Sequence, residues 1–331
     1  MRASRHDRRF CVVLTALALC GTWLGCGDTQ GATVDFEDVV RDASRQQRTE
    51  RRLATLERQL ARRRRARRQQ ETAPEESIPG SARIAGFNAL ARKLNGEVGA
   101  TIGAPGSAAI SNGGNLTTGS AWSTIKVPLA ERVLEDARGP DGLTGTQPAE
   151  IERAITASDN AAAAELFRDL GAKHGGVVGA ASAVTDVLRE AGDEVTEVST
   201  QGRNGFSPYG QTEWSLRSQH QFMAALAGGC VGTPATTRYL LDLMGRITSD
   251  RWGLGSTEAP ARWKGGWGPG ADGRYLVRQM GVLSVDGKQV VITIAARPAD
   301  GRLASGQAMS TRVAQWLAQR AGRFAESPGR C

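Results

Sequence analysis

Two eleven-residue runs near the C-terminus, YLVRQMGVLSV and KQVVITIAARP, are separated by Asp286–Gly287. Runs rich in β-branched and aliphatic residues on either side of Asp-Gly predict a hairpin with a tight turn. The chain therefore contains an antiparallel sheet. Upstream, EVGATIGAPG and AAISNGG predict a second strand pair after a helix over ARIAGFNALARKL. Between the two pairs, from about Ser123 to Ala227, helical periodicity dominates, and QAMSTRVAQWLAQRAGRF closes the chain as an amphipathic helix. Strands at both ends of a helical middle imply an α+β fold, an antiparallel sheet with helices on its faces.

The N-terminal part has a different character. Arg2, Arg5, Arg8 and Arg9 precede the apolar run FCVVLTALALCGTWLGC, Phe10 to Cys26, which reads as an export signal over residues 1–26. LGC followed by GD resembles a bacterial lipobox with Cys26 as the lipidated residue, although Trp23 stands where that motif prefers Leu. An uncleaved anchor and a plain secretory signal are the alternatives, since about 17 apolar residues are at the short limit of a membrane span. All three place the remainder on the extracytoplasmic face of the membrane.

Residues 27–80 read as a charged helical stalk and linker. Residues 41–70 hold twelve arginines against Asp42, Glu50 and Glu57, a local charge of +9 that exceeds the +8 of the whole 331-residue chain. The basic footprint is thus absent from the globular part, which argues against a nucleic-acid-binding fold. Leu53, Leu56 and Leu60 are too few for a secure coiled coil. The arginines are either a solvated face or a contact for an anionic lipid or envelope polymer. ETAPEESIPG then leads into a globular domain over 81–331. Cys230 and Cys331 are the only cysteines there, and in an oxidising compartment they either pair or remain two separate thiols. His6, His174 and His220 lack paired ligand spacing, so no metal or other cofactor is expected.

Three short segments can carry chemistry. SAWSTIK sets Ser123 and Lys126 three residues apart at a predicted helix start, where one face brings ammonium and hydroxyl together. Serine is a poor nucleophile without a base, and a desolvated lysine can serve as one. Alone the signal is weak, since S-x-x-K occurs by chance in many helices and by default marks a surface serine and lysine. AITASDNAAAAELF places Ser158, Asp159 and Asn160 between two helices, where such residues also serve as caps. WKGGWG places Lys264 before Gly265 and Gly266, which could otherwise be a flexible turn.

In this order the three segments resemble the S-x-x-K, S-D-N and K-T-G set of class A β-lactamases and penicillin-binding proteins. GDEVTEV is similar to that family's entry to the Ω-loop, and the resemblance spans about Ser81 to Phe324. It implies an antiparallel five-stranded sheet flanked by helices, with an all-helical subdomain. It further implies that Ser123 is the acylated nucleophile and Lys126 its proton acceptor. Ser158 would relay a proton to the leaving group, and Asn160 would bind substrate amide or hold Lys126. Lys264 would attract a substrate carboxylate beside Gly265 and Gly266, and the backbone N–H groups of Ser123 and Trp267 would form the oxyanion hole. The partner would be a β-lactam or a peptidoglycan-like small substrate.

Three departures qualify the likeness. The Ω-loop glutamate that activates the deacylating water should fall near Gly202, yet no acid lies between Glu197 and Glu213. Gly265 replaces the hydroxyl residue of the third motif, and the interval from Lys126 to Ser158 is short. These point to acylation with weak or absent deacylation. The alternatives are a non-catalytic binding lipoprotein on the same fold, or a true class A β-lactamase with an unusual deacylation base.

Overall fold

The computed structural model describes residues 81–325 apart from 204 and 248–250, all within one compact unit, Ala73–Cys331. The export segment, Cys26, the arginine-rich stretch and Cys331 lie outside the described residues. Cys230 is disulfide-bonded, and no other cysteine occurs among the described residues.

In chain order the elements are β1 (Ser81–Arg83), α1 (Phe87–Ala91), β2 (Gly96–Gly103), β3 (Ile110–Gly114), α2 (Lys126–Asp136), α3 (Gln147–Thr156), α4 (Asn160–His174) and α5 (Gly176–Glu190). They continue with α6 (Leu216–Gly228), α7 (Pro234–Gly245), β4 (Ala261–Pro269), β5 (Tyr275–Val285), β6 (Lys288–Pro298) and α8 (Leu303–Ala318). The expected C-terminal hairpin forms between β5 and β6, with Val285 opposite Lys288. Asp286 and Gly287 take φ values of 51° and 73°, the two left-handed positions that a type I′ turn requires.

The sheet has six strands in the order β1-β3-β2-β6-β5-β4, and it is mixed. The five-stranded antiparallel expectation is corrected by β1, which pairs parallel with β3 through Ser81 to Ile110. The helix expected over ARIAGFNALARKL shrinks for the same reason. Its first residues are extended in β1, and Gly86 at φ 81° breaks the backbone, so α1 begins only at Phe87. A three-residue strand is too short to show alternation, and its partner lies beyond two intervening elements.

One face of the sheet packs on α8, where Val313 and Leu317 meet Ile292, Ile294 and Val98. α1 shares that face through Phe87, which packs edge-on against Trp316 of α8, and the other face carries α6 and the helical layer. Leu129, Leu134, Ile151, Ile155 and Leu166 of the helical layer share a cluster with Met280, Val282 and Val291 of β5 and β6. The helical part is therefore not a separate body; its apolar core is continuous with the sheet. No helix among the described residues is long and apolar enough to cross a membrane.

Candidate active site

Ser123 lies in a 3-10 turn, Trp122–Ile125, that runs directly into α2 at Lys126. The turn is held from both sides. Trp122 adopts φ 50°, a strained value for a bulky side chain, which persists only where packing over-determines it. Its ring lies against Gly268 so closely that a Cβ there would meet it at 2.4 Å, and Phe206 packs edge-on with centroids 5.1 Å apart.

Beneath the turn sits Arg278 of β5, 1% exposed. Its Nη1 donates to the carbonyls of Gly119 (2.7 Å), Ser120 (3.2 Å) and Trp214 (3.1 Å), and its Nη2 donates to Trp214 O (3.1 Å) and Gln219 Oε1 (2.8 Å). Gln219 in turn donates to Thr124 Oγ1 at 2.8 Å, which donates to Ala121 O at 2.6 Å. Burial lowers the Arg278 pKa to about 10, so it stays cationic at neutral pH. Sequence reading passed over this residue. Its one signal is a lone charged residue inside a largely apolar strand.

Lys126 is equally buried, 1% exposed, and its ammonium donates to Ser158 O (2.5 Å), Asn160 Oδ1 (2.8 Å) and Asp159 O (3.2 Å). The expected bond to the Ser123 hydroxyl is not made. All three ammonium donors are taken instead by oxygens of the α3–α4 junction. Burial lowers the Lys126 pKa to about 8 against the opposing charge of Asp159.

The junction itself shows both readings of SDN to be compatible. Asp159 caps α4 by accepting from Ala161 N (2.8 Å) and Ala162 N (3.1 Å), and the bond from Ala162, with that from Ala161, holds its carboxyl below the ordinary range. Ser158, at φ 55°, and Asn160 flank that cap and face the two lysines. Lys264 Nζ donates to Ser158 Oγ at 2.8 Å and to Gly265 O at 3.0 Å.

WKGGWG is not a flexible turn. It lies in β4, the edge strand beyond β5. Gly266 passes so near the Ser123 turn that a Cβ would stand 2.8 Å from Ser123 N and 2.9 Å from Ala121 O. A side chain there would push the strand away from the turn. At Gly265 a Cβ would lie 3.3 Å from the Trp252 ring, so an indole packs where the missing hydroxyl residue would project.

Ser123, Lys126, Ser158, Asn160, Lys264 and Trp267 all line one cavity of about 670 Å³. No carboxylate is among its described lining residues. The segment after α5 contributes Gly205 through Gly210 to the wall, whereas Gly202 does not reach it. Glu197 pairs instead with Arg189 at 2.6 Å, and Glu213 accepts from Thr118 Oγ1 at 2.9 Å. Asp193 anchors the start of this segment, accepting from Thr196 N at 3.1 Å and Trp214 Nε1 at 3.1 Å. His174 bonds Asp136 at 2.7 Å, and His220 is buried beside Thr101, with its pKa lowered by burial to about 3.

The sequence profile of the Beta-lactamase enzyme family matches residues 139–321, more than half of the chain. The chain belongs to that family. The matched span contains Ser158, Asn160 and Lys264, while Ser123 and Lys126 precede it. Among solved structures, a β-lactamase from Sphaerobacter thermophilus is 19% identical with a TM-score of 0.55, covering 73% of this chain and 99% of that one. PBP-A is also 19% identical at a TM-score of 0.55, with 75% and 100% covered. A β-lactamase from Chitinophaga pinensis is 16% identical at 0.56, with 71% and 97% covered. At these identities the likeness carries the fold, which is the β-lactamase-like α+β arrangement. No curated protein matches the chain.

In this β-lactamase-family chain, Arg278 is the residue on which the Ser123 turn rests. Arg278→Met removes the guanidinium from three carbonyls and Gln219, of which Gly119 O keeps the Trp214 N–H, and is expected to cost about 3 kcal/mol or more. Urea unfolding followed by circular dichroism measures it; a loss below about 1 kcal/mol would show that the turn is held by other contacts.

Proposed function

We propose that the protein is an exported serine hydrolase of the β-lactamase and penicillin-binding type, acylated at Ser123 by a β-lactam or a cell-wall peptide-like substrate, with weak or absent deacylation. The observation that carries this is the convergence of Ser123, Lys126, Ser158, Asn160 and Lys264 on one cavity whose described walls hold no carboxylate.

Ser123 Oγ attacks the substrate carbonyl and gives its proton to Lys126 Nζ. A lysine with a pKa near 8 loses its own proton readily, and the neutral amine keeps two donors. The longest of its three bonds, to Asp159 O, is then released and the lone pair is freed for Ser123. Asn160 and the Ser158 carbonyl hold the amine in place. The proton leaves through Ser158 Oγ to the departing nitrogen, with the Lys264 ammonium 2.8 Å away steadying the relay. The same ammonium attracts a substrate carboxylate. Ser123 N–H and Trp267 N–H receive the developing oxyanion, each such donor being worth about 3 kcal/mol. Close passage of β4 at Gly266 supports that pairing. Hydrolysis of the acyl-serine needs a base for water, and none of the described walls supplies a carboxylate for it.

A non-catalytic binding role draws on one observation, that Lys126 spends all three donors away from Ser123. Intact mass separates the two readings. Wild type incubated with a penicillin is expected to gain the drug mass once, and Ser123→Ala to gain none. The rate should climb as pH rises through about 8, where Lys126 deprotonates, and Lys126→Ala should slow it at least 100-fold. A folded wild type that never gains mass, or a rate flat from pH 6 to 9, contradicts the proposal.

Export and membrane attachment through Cys26 belong to the same proposal, supported by the basic, then apolar N-terminus ending in LGC. The arginine-rich stretch would then lie near anionic envelope polymer or lipid. Expression in a bacterium supplied with labelled fatty acid is expected to label wild type and not Cys26→Ala. Equal labelling of both, or of neither, removes the lipid anchor.

A further inference from the structure

Few large apolar side chains are exposed among the described residues, and three of them, Val177, Phe206 and Trp267, stand at the same cavity. They come from three separate elements: the first turn of α5, the loop before Pro208, and β4. Apolar groups gathered in this way at a cleft mark a place where a partner group is desolvated. Deeper in, Trp122 and Trp252 continue the apolar wall toward Ser123.

The rim is fixed in place. Arg203 bridges with Phe206 through the backbone, donates to Gln211 Oε1 at 3.2 Å, and donates from Nη2 to the Pro269 carbonyl at the end of β4. Its guanidinium lies over the Trp122 and Phe206 rings, 5.9 and 5.4 Å from their centroids. Those aromatic faces already hold a cation. At Trp122 and Phe206 a positively charged ligand group meets a guanidinium already in place, no carboxylate stands among the described walls to pair with it, and Lys126 and Lys264 at the floor repel it.

Resting on the acyl-serine reading above, we infer that the site selects monoanionic acyl donors whose acyl side group is uncharged and aromatic. The carboxylate lies toward Lys264, and the aromatic group lies in the trough between Phe206 and Trp267. Ammonium-bearing acyl groups, including the amine side chains of cell-wall peptides, are disfavoured. The glycine at 265 fits this assignment, because a side chain there would press on the Trp252 wall.

Three penicillins that share nucleus and carboxylate but carry a phenylacetyl, an amino(phenyl)acetyl or an acetyl side chain test it. Second-order rates of mass gain are measured on wild type, and dissociation constants on Ser123→Ala by tryptophan fluorescence. The phenylacetyl compound is expected to react and bind at least tenfold better than either of the others, as burial of a phenyl ring implies. Phe206→Ser should shrink its advantage over the acetyl compound to about threefold or less. Equal rates and affinities for all three, or a preference for the ammonium-bearing compound, overturn the inference. If no compound adds mass, the acyl-serine reading fails, and the order of dissociation constants on Ser123→Ala still decides this one. Absence of binding by all three overturns both.

Discussion

Arg278 carries a full positive charge into the interior and spends it on the carbonyls of Gly119, Ser120 and Trp214 and on Gln219. A buried guanidinium without partners costs several kcal/mol, so the chain segments that supply those carbonyls are bound to stay where they are. Those segments are the approach to Ser123 and the approach to α6. The strained Trp122 and the 3-10 turn follow from that fixed approach, and so does the position of Lys126 at the first residue of α2. Opposite Arg278 in register stands Gly266, whose missing side chain lets β4 close over the same turn. A charge beneath and a bare strand above define where the Ser123 hydroxyl can be.

Much of this frame was legible in the sequence. Asp286–Gly287 between two apolar runs fixes a hairpin by turn chemistry alone, and the spacing of Ser123, Lys126, Ser158 and Asn160 survives as one constellation. The Asp159 cap illustrates why a bland reading and a functional one need not compete: the cap is what presents its two neighbours. Other features depend on contacts that spacing does not encode. β1 pairs with a strand about thirty residues away over only three positions, so no periodicity announces it. Helical geometry predicts a Lys126–Ser123 bond, yet three oxygens from the α3–α4 junction, distant in sequence, take the ammonium. Arg278 gave a composition signal without a partner, because its acceptors are backbone carbonyls.

The wall formed by the segment after α5 sets the chemistry apart. Glu197 and Glu213, the acids that bracket it, are held by Arg189 and Thr118, and the segment offers Phe206, Ser207 and Tyr209 to the cavity instead. In the proposed reaction, attack by Ser123 would need only a base able to take one proton, and Lys126 with its lowered pKa fits that need. Release needs water to be activated next to an ester, at a place where the described wall is aromatic and uncharged. Under the proposed function, the two half-reactions would be served unequally by the same cavity.

That inequality is open to direct measurement. Wild-type protein acylated briefly with a penicillin, freed of excess drug by rapid gel filtration and followed by intact mass, is expected to keep the adduct on Ser123 for hours at neutral pH. Loss of the adduct within minutes, with steady consumption of added drug, would contradict the account and show that a base outside the described wall completes the hydrolysis.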